Sequence, residues 1–224
     1  VENSNNLTFK TYLEEKYENV KCILSKENLG MGAANNIGIK ISKTEYVYII
    51  NPDTALKSNT LDKIFSASEK LKDFSILSPI SSNKNYPNYG KIESKIELDN
   101  DKSILKVDYV DGYSILINKK KFQNDSYFDE SFFMYLENND LCKRAVDNGG
   151  SIYVIPNAEI DHLGAKTVDP IFHREVELSR NWHWMWSTFN YNKKYKGFFI
   201  SFMIVLPKII SSIIRILIYS ITFN

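Results

Sequence analysis

The run at residues 45–50, EYVYII, leaves this chain little choice of architecture. β-branched and aromatic residues follow one another without polar alternation, the pattern of a strand covered on both faces. A strand covered in that way needs helices above and below its sheet. The flanking periodicity supplies them: Ala33, Ala34, Ile37 and Ile41 recur at helical spacing before the strand, and Leu61, Ile64, Phe65 and Leu71 after it. With a helix ending near Tyr17, a short strand at residues 20–24 and another at 74–77, the order is alternately strand and helix. That order predicts an α/β fold with a mostly parallel sheet flanked by helices.

The central run stops at Asn51-Pro52-Asp53-Thr54. Ligands of open α/β sheets collect beyond the carboxyl ends of strands, which makes Asp53 a candidate for a metal or phosphate site, although Asn-Pro-Asp is equally plain turn chemistry. Upstream, Gly30 and Gly32 open a helix after Asn28, and Asn35 stands where a dinucleotide fingerprint would need a small residue. Downstream, residues 81–101 are Asn- and Lys-rich and read as a mobile surface excursion. Strands resume at residues 105–110 and 113–117, with Gly112 between them permitting a bulge or a close approach.

Residues 127–144, YFDESFFMYLENNDLCKR, bring aromatics and carboxylates together at a helix opening. Glu137, Asp140, Leu141 and Arg144 share one helical face, and Asn138 is placed to cap it. The spacing admits two readings: an Asp140–Arg144 surface pair worth a few tenths of a kcal/mol, or a partly desolvated carboxylate fit to act as a general base. Beyond it, residues 152–155 form a strand that leads to His162, a ligand candidate only if Asp53 is its neighbour in space.

Composition narrows the rest. With 224 residues and 43% hydrophobic content, one well-buried core is expected, plus an appendage. A net charge of +1 gives no basic excess for nucleic acid. Cys22 and Cys142 lack a C-x-x-C partner and read as reduced thiols. The chain starts at Val1 without Met or a signal-like segment, so Val1 reads as mid-domain sequence.

A helix carrying Trp182, Trp184 and Trp186 is expected from Asp169-Pro170 onward; three tryptophans in five positions cannot share one face, so part of the cluster meets another surface. Residues 198–223 are almost wholly apolar and long enough to span a bilayer. Lys208 and Arg215 lie seven apart beside Ser211 and Ser212, an arrangement that favours a helix lying in the membrane interface over a spanning one.

Taken together, VENSN, NLGMGAANNIGI, YIINPDT, DGYSILINKKKF, YFDESFFMYLENNDLCKR and IDHLGAKT resemble the family-2 glycosyltransferases of the GT-A fold, nearest to the rhamnosyltransferase-like enzymes of bacterial surface polysaccharide synthesis. The likeness runs from Val1 to about Trp186. It implies a catalytic domain over residues 1–170 and a membrane-associating segment over 171–224. It also implies an inverting transfer from a dTDP- or UDP-sugar to a glycan or polyprenyl-linked acceptor, with Mn²⁺ or Mg²⁺, at the cytoplasmic face of the inner membrane.

Carried over by residue, the resemblance assigns Glu2, Asn3, Asn28, Gly30, Asn35, Asn36, Asn51, Asp53 and Gly112 to the nucleotide-sugar, and Asp53 and His162 to the metal. Asp129, Glu130, Phe133 and Tyr135 are assigned to the acceptor. Asn138 occupies the family's usual base position, and an amide cannot take the acceptor's proton. Glu137, and after it Asp140, is the substitute. The family domain also opens with a strand–helix unit before VENSN that this sequence lacks.

Overall fold

A computed structural model describes residues 1–71, 73–98, 102–163 and 170–222. Six α-helices and seven strands follow in the order α1 (Leu7–Lys16), α2 (Gly30–Ile41), β1 (Tyr46–Ile50), β2 (Thr54–Leu56), α3 (Thr60–Lys70), β3 (Ile76–Ser81), β4 (Ile92–Leu98), β5 (Lys102–Val107), β6 (Ser114–Asn118), α4 (Glu137–Asp147), β7 (Ile152–His162), α5 (His173–Lys196) and α6 (Phe198–Thr222). The strands make one sheet in the order β1-β6-β3-β7-β5-β4, with β2 pairing the end of β7.

Period-2 alternation puts a core on each face of that sheet. Ile76, Ile115 and Val154 join Ile39 of α2 and Leu141 of α4 in one cluster, while their chain neighbours Leu77, Leu116 and Tyr153 join Ile64 and Ala67 of α3 in the other. The flanking helices are therefore as expected, but the strand directions are mixed rather than mostly parallel. Among the named pairs only β3–β7 is parallel. The local alternation of strand and helix is blind to β6, which inserts antiparallel between β1 and β3.

Several local expectations change for similar reasons. Residues 20–24 contribute a single parallel bridge, Glu2–Leu24, rather than a strand. The polar stretch at 81–101 is not simply an excursion: IESKIEL forms β4 in a hairpin with β5. Asn88 is buried at 1% exposure, its side chain accepting from the Ser81 N–H and donating to Ser78 Oγ and the Pro79 carbonyl. Asn138 does not cap α4. Leu136 holds that position, and the Asn138 amide donates instead to the Val110 carbonyl.

Both cysteines are free and buried. Residues 164–167 of the IDHLGAKT motif, with Asp169 and Phe223, lie outside the described residues.

The C-terminal helices form a hairpin joined at Gly197, where φ is 85°. Phe189 meets Phe198 edge-on, and Ser201 Oγ donates to the Phe189 carbonyl. α5 also lies against residues 129–140, so the tryptophans divide: Trp184 meets Tyr135, and Trp186 meets Phe189 at the hairpin. α6 is largely exposed, and over Phe198–Ile221 its mean hydropathy is 2.0, long and apolar enough to cross a membrane.

Candidate active site

The carboxyl end of β1 is tied by backbone to the entry of β6 and, through the turn after it, to the end of β7. Asn51 N–H donates to the Tyr113 carbonyl at 2.8 Å, Leu163 N–H to the Asp53 carbonyl at 2.9 Å, and Thr54 pairs with His162 in register. Asp53 and His162 consequently meet, Oδ2 to Nε2, at 3.2 Å. Tyr113 stacks on the imidazole with centroids 4.2 Å apart and planes 14° from parallel. A cleft of about 300 Å³ opens beside them, lined by Ser81, Asn83, Tyr86, Asp111, Tyr113 and His162. Burial pushes the Asp111 carboxyl above the usual carboxylate range, with His162 pulling the other way.

The first turn of α4 abuts this cleft wall. A Cβ built on Gly112 would stand 3.2 Å from Asn138 Cβ and 3.0 Å from Met31 Cε, and one on Gly32 would stand 3.7 Å from Glu137 Cβ. Glu137 thus packs against α2, while its chain neighbour Asn138 meets the segment bearing Asp111 and Tyr113. It is 6% exposed, and its Oε2 is buried without a hydrogen-bond partner. Burial pushes its carboxyl above the usual range, opposed only by a hydrogen bond from its own backbone N–H. Such a carboxyl is suited to take a proton near neutral pH.

Asp140 has a different situation. Its side chain is fully buried; Oδ1 accepts from Tyr195 Oη at 2.7 Å and Lys194 Nζ at 2.6 Å, and Oδ2 from Arg144 Nε at 2.8 Å. With both oxygens engaged it has no access to a substrate hydroxyl, which corrects its candidacy as a base. The surface-pair reading of Asp140–Arg144 is corrected by the same burial.

The residues assigned to the nucleotide divide in two. Asn3, Asn28 and Gly30 converge: Asn3 Nδ2 donates to Asn28 Oδ1 at 2.9 Å and to the Gly30 carbonyl at 3.2 Å, and Gly30 N–H donates to Asn28 Oδ1. Gly30 has φ 79°, and any Cβ there would strike the Phe133 carbonyl at 2.2 Å, so only glycine fits. Asn35 Nδ2 is buried without a partner and so keeps a donor in reserve.

Two others are spent on structure. The Glu2 carboxylate accepts from Ser4 and from Asn6 N–H, bracing the turn into α1. Asn36 accepts from Phe128 N–H and donates to Phe128 O and Glu130 Oε1, clamping the loop before α4.

The four acceptor candidates are likewise engaged within the fold. Lys194 bridges to Asp129 at 2.6 Å, Asn36 holds Glu130, His183 stacks on Phe133 at 4.7 Å and Trp184 meets Tyr135 at 5.4 Å. The cleft-lining Asp111, Tyr113 and Tyr86 escaped the sequence reading. Asp-Gly-Tyr between two strands was the available signal for the first two; for Tyr86 it was its place in NKNYPNYG, the centre of a polar surface stretch of the kind that often recognises substrates, without the residue itself standing out.

The donor set suits a hard divalent cation. Asp53 Oδ1 is buried with no partner, and an imidazole is adjacent. Among the described residues no cluster of three or more His, Cys, Asp or Glu is placed to hold a metal.

The fold is that of the GT-A glycosyltransferases. The chain superposes on GalNAc-T7, solved with UDP, GalNAc and Mn²⁺, with a TM-score of 0.58 at 14% identity, covering 87% of this chain and 43% of that one. It superposes on residues 1–349 of S. aureus TarS with UDP-GlcNAc at a TM-score of 0.51 and 18% identity, covering 80% and 54%. Residues 8–140 match the family described as Glycosyl transferase family 2, and the chain belongs to that family.

Among curated relatives, a low-salt glycan biosynthesis hexosyltransferase of Haloferax volcanii is 27% identical over 145 residues, 58% of this chain and 47% of that protein. A dTDP-rhamnosyl transferase of Shigella flexneri is 24% identical over 182 residues, 75% and 60%. An N-acetylglucosaminyl-diphospho-decaprenol L-rhamnosyltransferase of Mycobacterium tuberculosis is 23% identical over 197 residues, 71% and 64%. The chain thus spans between about half and just under two thirds of the length of these relatives.

Proposed function

We propose that this chain carries the active site of an inverting glycosyltransferase that moves a sugar of the rhamnose or hexose class from a dTDP- or UDP-linked donor to a hydroxyl of a glycan or lipid-linked acceptor. The observation that carries the reading is the meeting of Asp53 and His162 at the strand ends, beside a wall that also holds the desolvated Glu137. The names of the Shigella and mycobacterial relatives support the donor and acceptor classes.

In this reading the Asn3–Asn28–Gly30 knot and Asn35 form the nucleotide wall, and Asp53 and His162 hold the diphosphate end. Mn²⁺ or Mg²⁺ bound there would supply Lewis-acid neutralisation of the diphosphate. Glu137 accepts the acceptor's hydroxyl proton as the oxygen attacks the anomeric carbon from the face opposite the leaving group, which inverts that carbon. α6 keeps the site at a membrane surface where a lipid-linked acceptor is found, on the cytoplasmic side where nucleotide-sugars are made. Carbonate extraction reads its mode: release indicates an interfacial helix, retention a spanning one.

Asn138, an amide at the family's base position, favours a second reading as a sugar-nucleotide-binding module without turnover. Donor turnover with added Mn²⁺, lost in Asp53→Ala, excludes it. Binding of donor with neither transfer nor hydrolysis would overturn the enzyme reading.

A further inference from the structure

Glu137 follows a turn that its own sequence does not favour. Tyr135 and Leu136 have φ of 70° and 64°, a left-handed conformation that bulky residues rarely adopt and that persists only where the surroundings over-determine it. Here α5 provides those surroundings. Ahead of Glu137, Ser187 Oγ donates to the Met134 carbonyl at 2.6 Å, His183 stacks on Phe133 and Trp184 meets Tyr135.

Behind Glu137, Tyr195 and Lys194 hold Asp140, one turn along α4. Asp140 passes that hold inward. Its partner Arg144 donates from its other nitrogens to the carbonyls of Ser126 and Tyr127, at the head of the same loop. Lys194 also reaches Asp129 within that loop. The loop is therefore pinned at its head through α4, and along its middle, its end and just beyond by α5.

We infer that α5 is a strut for the base: Asp140, Lys194 and Tyr195 are positioning residues through which the seating of α5 fixes the turn that presents Glu137. The inference rests on the reading of Glu137 as the proton acceptor. Because α5 runs through Gly197 into the apolar α6, the strut also links the turn to the surface that α6 occupies. Residues 171–196 then belong functionally with the catalytic unit.

The test uses the full chain in lipid nanodiscs and two variants that keep most of the side-chain bulk, Tyr195→Phe and Lys194→Gln. Sugar-transfer kinetics and amide hydrogen exchange are measured on each. Expected are a fall in kcat of ten-fold or more with donor KM within two-fold, and exchange of the 134–141 amides at least ten-fold faster.

Asn190 Nδ2 lies 2.9 Å from Ser131 Oγ, away from Asp140, and offers a second fastening point. Ser131→Cys with Asn190→Cys, added to Tyr195→Phe, is expected to restore most of kcat and of the protection when oxidised and to lose both on reduction. Unchanged exchange in both variants overturns the strut, as does a loss of kcat matched by an equal loss of donor affinity. A wild-type chain that turns over no donor sinks the glycosyltransferase reading instead, and the exchange arm still decides whether α5 seats the turn.

Discussion

The two sides of the first turn of α4 hold the same kinds of residue to opposite effect. Toward α2, Glu137 Oε2 is buried without a partner, as is Asp53 Oδ1 at the strand ends. Toward α5, Asp140 is more deeply buried than either, yet both its oxygens are occupied by Arg144, Lys194 and Tyr195. Burying a carboxylate without donors costs stability, whereas donors convert the same burial into a fixed joint. Burial alone therefore does not distinguish the two carboxylates; an oxygen left without a donor does.

The largest effect expected from that contrast is at Glu137. Glu137→Gln removes the proposed proton acceptor and should lower kcat by about 10²–10⁴-fold in a transfer assay. In the wild type, kcat should rise with pH through the raised Glu137 value, since only the carboxylate accepts a proton. The stability linkage has the opposite sign. A carboxyl whose folded value lies above its unfolded one contributes most while protonated, below the unfolded value, and that contribution is lost as pH rises through the folded value. Glu137→Gln should flatten this loss and gain about 1 kcal/mol at neutral pH by chemical denaturation.

Asp140→Ala should do the reverse. It takes the carboxylate partner from Arg144 at a buried joint and leaves Lys194 with Asp129 alone, and the expected loss is about 3 kcal/mol of folding stability. A loss of activity without loss of stability would break the division drawn here between the two sides of α4.

How far such a division could be read beforehand depended on range. The helices on both faces and the strand at residues 45–50 followed from apolar spacing, because propensity and periodicity are local. The approach of His162 to Asp53 was legible only as a condition, since it depends on β2 pairing with β7 across more than a hundred residues. Asp140 was misplaced because its deciding partners, Lys194 and Tyr195, lie more than fifty positions away on a helix with no recognisable motif. Phe133 and Tyr135 looked like an approach to substrate for the same reason: nothing local shows that His183 and Trp184 already cover them. Asp111 was passed over because attention at this junction falls on Gly112, whose missing side chain permits a bulge or a close approach, and an acid beside it has no local partner to mark it.

A smaller effect is expected at the cleft mouth. Tyr86 is 78% exposed while lining the cleft, and Asn83 and Asn88 hold its loop in place. An exposed aromatic ring beside a sugar site offers a stacking face. Tyr86→Ala should raise the acceptor KM about 5-fold, equivalent to roughly 1 kcal/mol, leave the donor KM unchanged, and be rescued by Tyr86→Phe.

The smallest effect sharpens the comparison most, because it lies on the same helix. Lys143–Asp147 repeats the four-residue spacing of Asp140–Arg144, at 3.0 Å, with side chains 38% and 52% exposed. Spacing alone gives the two pairs equal value. Water reaches the outer pair, screening its attraction and solvating either charge when the other is removed, so Asp147→Ala should cost no more than about 0.5 kcal/mol and the cost should fade in high salt. The inner pair is far less open, with Asp140 unexposed and Arg144 21% exposed, so the Asp140→Ala cost should persist in larger part in 1 M salt. Equal salt sensitivity at the two positions would mean that α5 does not seal Asp140 in solution, and the contrast between the two sides of α4 would disappear with it.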